Sequence, residues 1–171
     1  MGLELHLHRA GETGWRPPER AATLPKTNGG TPIMLPFDAL EARLGWSPQM
    51  SRHPGAMAVT TALLPETSTY YADLGPAAAA SYRLADGSRE FGVIERKVLA
   101  AHDTYHFIYP DGVATAMSLA GGSAVIVLPP RVRGISFAVW AQGERLIDVS
   151  FNWEVGLAEA RDILASVVPA A

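Results

Sequence analysis

TYHFIYPDGVATAMSLAGGSAVIVLPPRVRGISFAVWAQGERLIDVSFNW, Thr104 to Trp153, is the stretch whose reading decides the fold class. Apolar runs of about five to nine residues, the ordinary length of a strand, alternate here with turn signals. The signals are Pro110-Asp111-Gly112, Gly121-Gly122 and Gln142-Gly143-Glu144. Pro129-Pro130 is a fourth break, because residues without a backbone N–H belong at a strand end or a sheet edge. In the last run Ile147, Val149, Phe151 and Trp153 alternate with Leu146, Asp148, Ser150 and Asn152, which gives a core face and a mostly polar face. The stretch therefore reads as an antiparallel β-meander.

Toward the N-terminus, Leu3, Leu5 and Leu7 alternate with Glu4, His6 and His8, which predicts a half-buried strand added to the meander. Ala10 to Pro36 carries Pro17, Pro18, Pro25, Pro32, Pro36, Gly11, Gly14, Gly29 and Gly30 and shows no helical or strand period. It reads either as a surface loop or as an arm docked on a neighbour through Trp15, Ile33, Met34 and Leu35. Phe37, Leu40 and Leu44 share a helical face, Gly45 supplies a stop and Pro48 prevents resumption, so a short helix is predicted over 37–44. Met57 to Leu64 is β-rich and bounded by Pro54-Gly55 and Pro65.

Thr67 to Leu74 fits a strand by composition and a helix start by its proline. Over Ala77 to Val98 the Asp86-Gly87 pair between apolar runs signals a hairpin, with the alanines leading into it. After Trp153, the spacing of Leu157, Ala160, Ile163, Leu164 and Val167 predicts a closing helix packed on Ile147, Val149, Phe151 and Trp153. A single α+β domain spanning 1–171 is expected, with about six to eight strands in a curved sheet and the helices on one face.

Composition narrows function more than it specifies it. There is no cysteine, so disulfides, thiolate metal sites and cysteine nucleophiles are excluded. With 14 basic and 17 acidic residues, the chain lacks the positive excess of a nucleic-acid binder. Met1 to Ala10 alternates instead of presenting a basic then apolar leader, and no apolar run is long enough for a membrane span, so the expectation is a cytoplasmic protein without membrane contact.

Two clusters are candidate ligand-binding groups: His102, Asp103 and His106 at the entry to the meander, and Asp148, Ser150 and Asn152 on the polar face of the last run, joined by Ser118. In an extended segment His102 and His106 stand about 13 Å apart, too far for one metal. No serine lies in a nucleophile elbow. His6-x-His8-x3-Glu12 resembles the metal-binding motif of cupins, which implies a two-histidine, one-glutamate site. The resemblance covers only these residues, Glu19 stands where that motif has glycine, and no second histidine motif completes it. No tightly bound metal and no cofactor are expected.

These features support a non-catalytic interaction or assembly module, oligomeric or bound to a protein partner, with Trp15, Ile33, Met34, Leu35 and Trp140 at its interface. The alternative is a small-molecule binding protein or enzyme that uses the concave face of the sheet; the sequence leaves catalysis undecided. Replacing residues 11–31 by a short Gly/Ser segment is expected to weaken association and leave the meander folded. Size-exclusion chromatography with light scattering, together with circular dichroism, reads both outcomes.

Overall fold

The structure is a computed structural model and describes residues 4–9, 31–68, 73–97, 104–109, 113–119, 122–128, 136–142 and 145–169. The strands are β1 (Glu4–Arg9), β2 (Ile33–Met34), β3 (Gln49–Ser51), β4 (Ala56–Ser68), β5 (Asp73–Leu84), β6 (Glu90–Lys97), β7 (Thr104–Tyr109), β8 (Val113–Leu119), β9 (Gly122–Leu128), β10 (Ser136–Gln142), β11 (Arg145–Phe151) and β12 (Val167–Pro169). The helices are α1 (Phe37–Leu44) and α2 (Leu157–Ala165). The main sheet runs in the order β2-β4-β5-β6-β11-β10-β9-β8 with every neighbouring pair antiparallel, so the chain is α+β as its pattern implies.

From β8 to β11 the meander forms as expected. β8 pairs with β9 up to Leu119 opposite Gly122, and β10 with β11 up to Gln142 opposite Arg145. The β5–β6 hairpin also forms. Gly87 takes the left-handed conformation at φ 77°, and Asp86 Oδ1 accepts the N–H groups of Ser88 and Arg89 at 2.8 and 2.9 Å. Those bonds and the Arg89 guanidinium hold the Asp86 carboxyl well below its ordinary pKa. α1 spans the expected residues and stops at Gly45, φ 74°, whose N–H bonds Glu41 O.

Four expectations need correction. β7, the first strand of the expected meander, is not in the main sheet: β1 pairs with it in parallel, Leu5 opposite Tyr105 and Leu7 opposite Phe107, in a separate ladder. β7 and β8 therefore lie in different ladders, and the expected turn at Pro110-Asp111-Gly112 lies outside the described residues. Alternation reports which residues share a face and is blind to partner and direction. Second, Ala77 to Ala80 lie inside β5, which settles 73–84 as strand. Ala78 and Ala80 are buried on the core face and Ala77 on the other, so packing in the sheet overrides the helix propensity of alanine. Third, within the Pro/Gly-rich segment Ile33 and Met34 form β2, paired with Leu63 and Ala62. Fourth, Val167 belongs to β12, which pairs with β3, and Leu157 is 42 % exposed while Val155 takes the buried place before the helix.

Three rows of side chains across the sheet form the core face. Tyr82, Phe91 and Phe151 are one row, Ala80, Val93, Val149 and Ala138 the next, and Ala78, Glu95 and Ile147 the third. Ala160, Ile163 and Leu164 of α2 cluster with the first two rows and with Ile147, and Phe37 of α1 packs alongside. Tyr82 stacks on Phe91 at 5.0 Å between centroids, and Trp153 meets Phe151 edge-on at 5.2 Å. A latch closes the helix end: Glu159 accepts from Arg89 Nη1 and, at 3.2 Å, from Trp153 Nε1. Phe151 is fully buried in the first row, so Phe151→Ala is expected to cost about 3 to 5 kcal/mol in urea unfolding. A loss below about 1 kcal/mol would reverse the assignment of faces.

Candidate functional site

The third core row contains a carboxylate where alternation calls for a hydrocarbon. Glu95 follows Phe91 and Val93 on the core face of β6 and is 1 % exposed. Its Oε2 accepts the Gln49 N–H, and its Oε1 faces Arg145 Nη1 at 3.1 Å. Arg145 Nη1 also donates to Ser47 O at 2.6 Å, and the guanidinium lies 4.9 Å from the Trp46 ring centroid. Two residues on, the Ser51 N–H donates to Tyr82 Oη at 3.0 Å. The other edge of β3 is paired with β12, and Arg52 N–H continues that contact to Ser166 O at 2.7 Å. Alternate amides of β3 are thus satisfied by a strand on one side and by two side chains rising from the main sheet on the other.

Burial pushes the Glu95 carboxyl above its ordinary pKa, with the Gln49 N–H and Arg145 opposing. Burial likewise raises the Tyr82 phenol against the Ser51 hydrogen bond. This arrangement binds chain to chain; Glu95 is closed off by its own partners, so it braces the fold and offers no open catalytic group.

The opposite face of the same strands is graded. Its rows are Ala77, Arg96 and Leu146, then Ala79, Ile94 and Asp148, then Ser81, Gly92 and Ser150. The first row is buried, the second half-buried, and Ser150 in the third is exposed. Arg96 Nη2 meets Asp148 Oδ2 at 3.0 Å. Loss of solvent raises the Asp148 pKa and Arg96 pulls it back.

Of the ligand residues expected from sequence, Asp148 and Ser150 come together here, beside Arg96 and Gly92. Asn152 instead ties the strand end to the hairpin, accepting from Glu90 N–H at 2.8 Å and donating to Ser88 O at 3.2 Å. Ser118 lies on β8, with β9 and β10 between it and β11. His106 sits opposite His6 in the β1–β7 ladder, while His102 and Asp103 lie outside the described residues.

Among the interface residues, Ile33 and Met34 are 48 % and 60 % exposed, and Leu35 is half-buried with its N–H on Thr61 O at 3.1 Å. Trp140 is placed opposite Ile147 by register, and Trp15 lies outside the described residues. Arg96 and Glu95 were missed although the charged run Glu95-Arg96-Lys97 inside a strand pattern was a visible signal.

Among the described residues no helix is long and apolar enough to cross a membrane, and no group of three or more acidic or histidine side chains is placed to hold a metal. No protein-family model, curated protein or solved structure matches the chain.

Because the folded protein holds the Glu95 proton more tightly than the unfolded chain, stability falls as pH rises from the ordinary glutamate value of about 4.3 to the raised folded value. Glu95→Gln is expected to flatten that part of the profile, read as the difference between urea unfolding curves of the two proteins. Glu95→Ala leaves Arg145 without its carboxylate; since Arg145 can reach water, the expected loss is about 2 to 3 kcal/mol, below that of a fully buried pair.

Proposed function

We propose that the chain is a non-catalytic interaction and assembly module of a soluble, cytoplasmic complex, and that it associates with a second copy of itself along the edge formed by β2 and β4. The supporting observation is where apolar surface is left uncovered. Of the five large hydrophobic residues exposed among the described residues, Ile33, Met34, Met57 and Val59 all belong to this edge. β2 covers β4 only at Ala62 and Leu63, so no described strand pairs with the outer side of Ala56 to Thr60. That segment carries neither charge nor proline, the usual protections of a free edge; the bulge at Val59 alone interrupts it.

An uncharged apolar edge is self-complementary under a twofold axis. With Ala58 on the axis, antiparallel pairing sets Met57 opposite Val59 of the partner subunit, and Ile33 and Met34 flank the seam. The strand is short, so the dimer is concentration-dependent. In the proposed module the sheet of six to eight strands is curled. This reading is supported by α2, which covers side chains of β6 and β11 and also contacts β8.

Met57→Lys combined with Val59→Lys is expected to convert the dimer to monomer in sedimentation velocity. At dilution the unfolding free energy should stay within about 0.5 kcal/mol of the parent, as for surface changes generally. A parent protein that is monomeric up to millimolar concentration, or a dimer that survives both lysines, would overturn the proposal.

A further inference from the structure

Arg96 holds a donor that no group among the described residues accepts. The residue is 7 % exposed, its Nη2 is engaged by Asp148 Oδ2, and its Nε is buried without a hydrogen-bond partner. A buried N–H on a cation is costly to leave unmade, and one that is retained calls for an explanation, of which an acceptor supplied from outside the chain is one. The surroundings point the same way. Arg96 stands at the closed end of the graded face, between Ala77 and Leu146, both 0 % exposed. From it the floor runs past Ala79, Ile94 and Asp148 to Ser81, Gly92 and the exposed Ser150. Gly92 keeps that floor low: a Cβ there would come within 3.2 Å of Ser150 Oγ.

We propose that this face binds a small organic monocarboxylate, its carboxylate on the Nε–H and adjacent Nη–H of Arg96 and its hydrocarbon chain along Ala79, Ile94 and Gly92 toward Ser150. The Nε and Nη donors of a guanidinium present a planar fork that matches a carboxylate. A single cation already shared with Asp148 suits one negative charge better than the two of a phosphate. The four residues from Arg96 to Gly92 span about 13 Å of strand, room for a short aliphatic chain. Anion entry also has a charge consequence. Asp148 then lies beside a second carboxylate, which favours its neutral form, so binding takes up a proton.

Isothermal titration of the full chain with hexanoate and with its neutral isostere hexanamide tests this. The expected result is saturable hexanoate binding, at least about tenfold tighter than hexanamide, a difference of about 1.4 kcal/mol. The heat should depend on buffer ionisation as proton uptake requires. Arg96→Gln should abolish the preference. Gly92→Val leaves the Arg96–Asp148 pair in place and raises the floor, so it should weaken hexanoate while sparing acetate. The absence of saturable hexanoate binding by the parent protein, equal affinity for the amide, or full binding by a folded Arg96→Gln protein would overturn the proposal. None of these outcomes depends on whether the β2–β4 edge dimerises.

Discussion

A carboxylate inside the core row of a sheet is the constraint on which this fold turns. Taking Glu95 out of water costs several kcal/mol unless its oxygens are engaged, and they are engaged by two segments distant in sequence, the amide of Gln49 and the guanidinium of Arg145. Satisfying Glu95 therefore draws β3 down onto the sheet and positions the Trp46-Ser47 segment against the start of β11. Tyr82 repeats the device two residues further along β3, and β12 closes the other edge. The connection between α1 and β4 is anchored through polar groups, although apolar contact dominates elsewhere on the same face.

β6 serves two different faces with consecutive charged residues. Glu95 points into the helix-covered core and Arg96 onto the opposite face, and each meets a partner from β11: Arg145 for the first, Asp148 for the second. The β6–β11 pair is consequently held by its ladder and by an ion pair on each face. The two pairs differ in what they leave over. Among the described contacts the Glu95 oxygens are both used, whereas the Arg96 Nε is not. A saturated polar group specifies structure; an unsaturated one is where recognition can be added.

Much of the architecture was legible because it rests on local periodicity. The core side chains Ile147, Val149 and Phe151, the α1 limits with Gly45 as stop, and the Asp86-Gly87 hairpin all follow from spacing and turn chemistry within a few residues. The pairing of β1 with β7 was not legible, since a parallel ladder joins residues a hundred positions apart that no local pattern connects. Part of the candidate site was also visible: Asp148 and Ser150 do share a face. Their neighbours on it, Arg96 and Gly92, belong to another strand, and register alone brings them there.

By itself the amino-acid sequence determined the class of the fold, the meander from β8 to β11, the helix that closes it and the absence of cysteine chemistry, because each depends on composition or on a repeat of two or three to four residues. Tertiary structure decided which strands are neighbours, that four alanines are sheet and not helix, that Glu95 is buried, that Arg96 Nε has no acceptor among the described residues, and that apolar side chains remain uncovered along one edge. Those outcomes depend on what lies across a strand or above a face, and both are set by the packing of residues far apart in the chain.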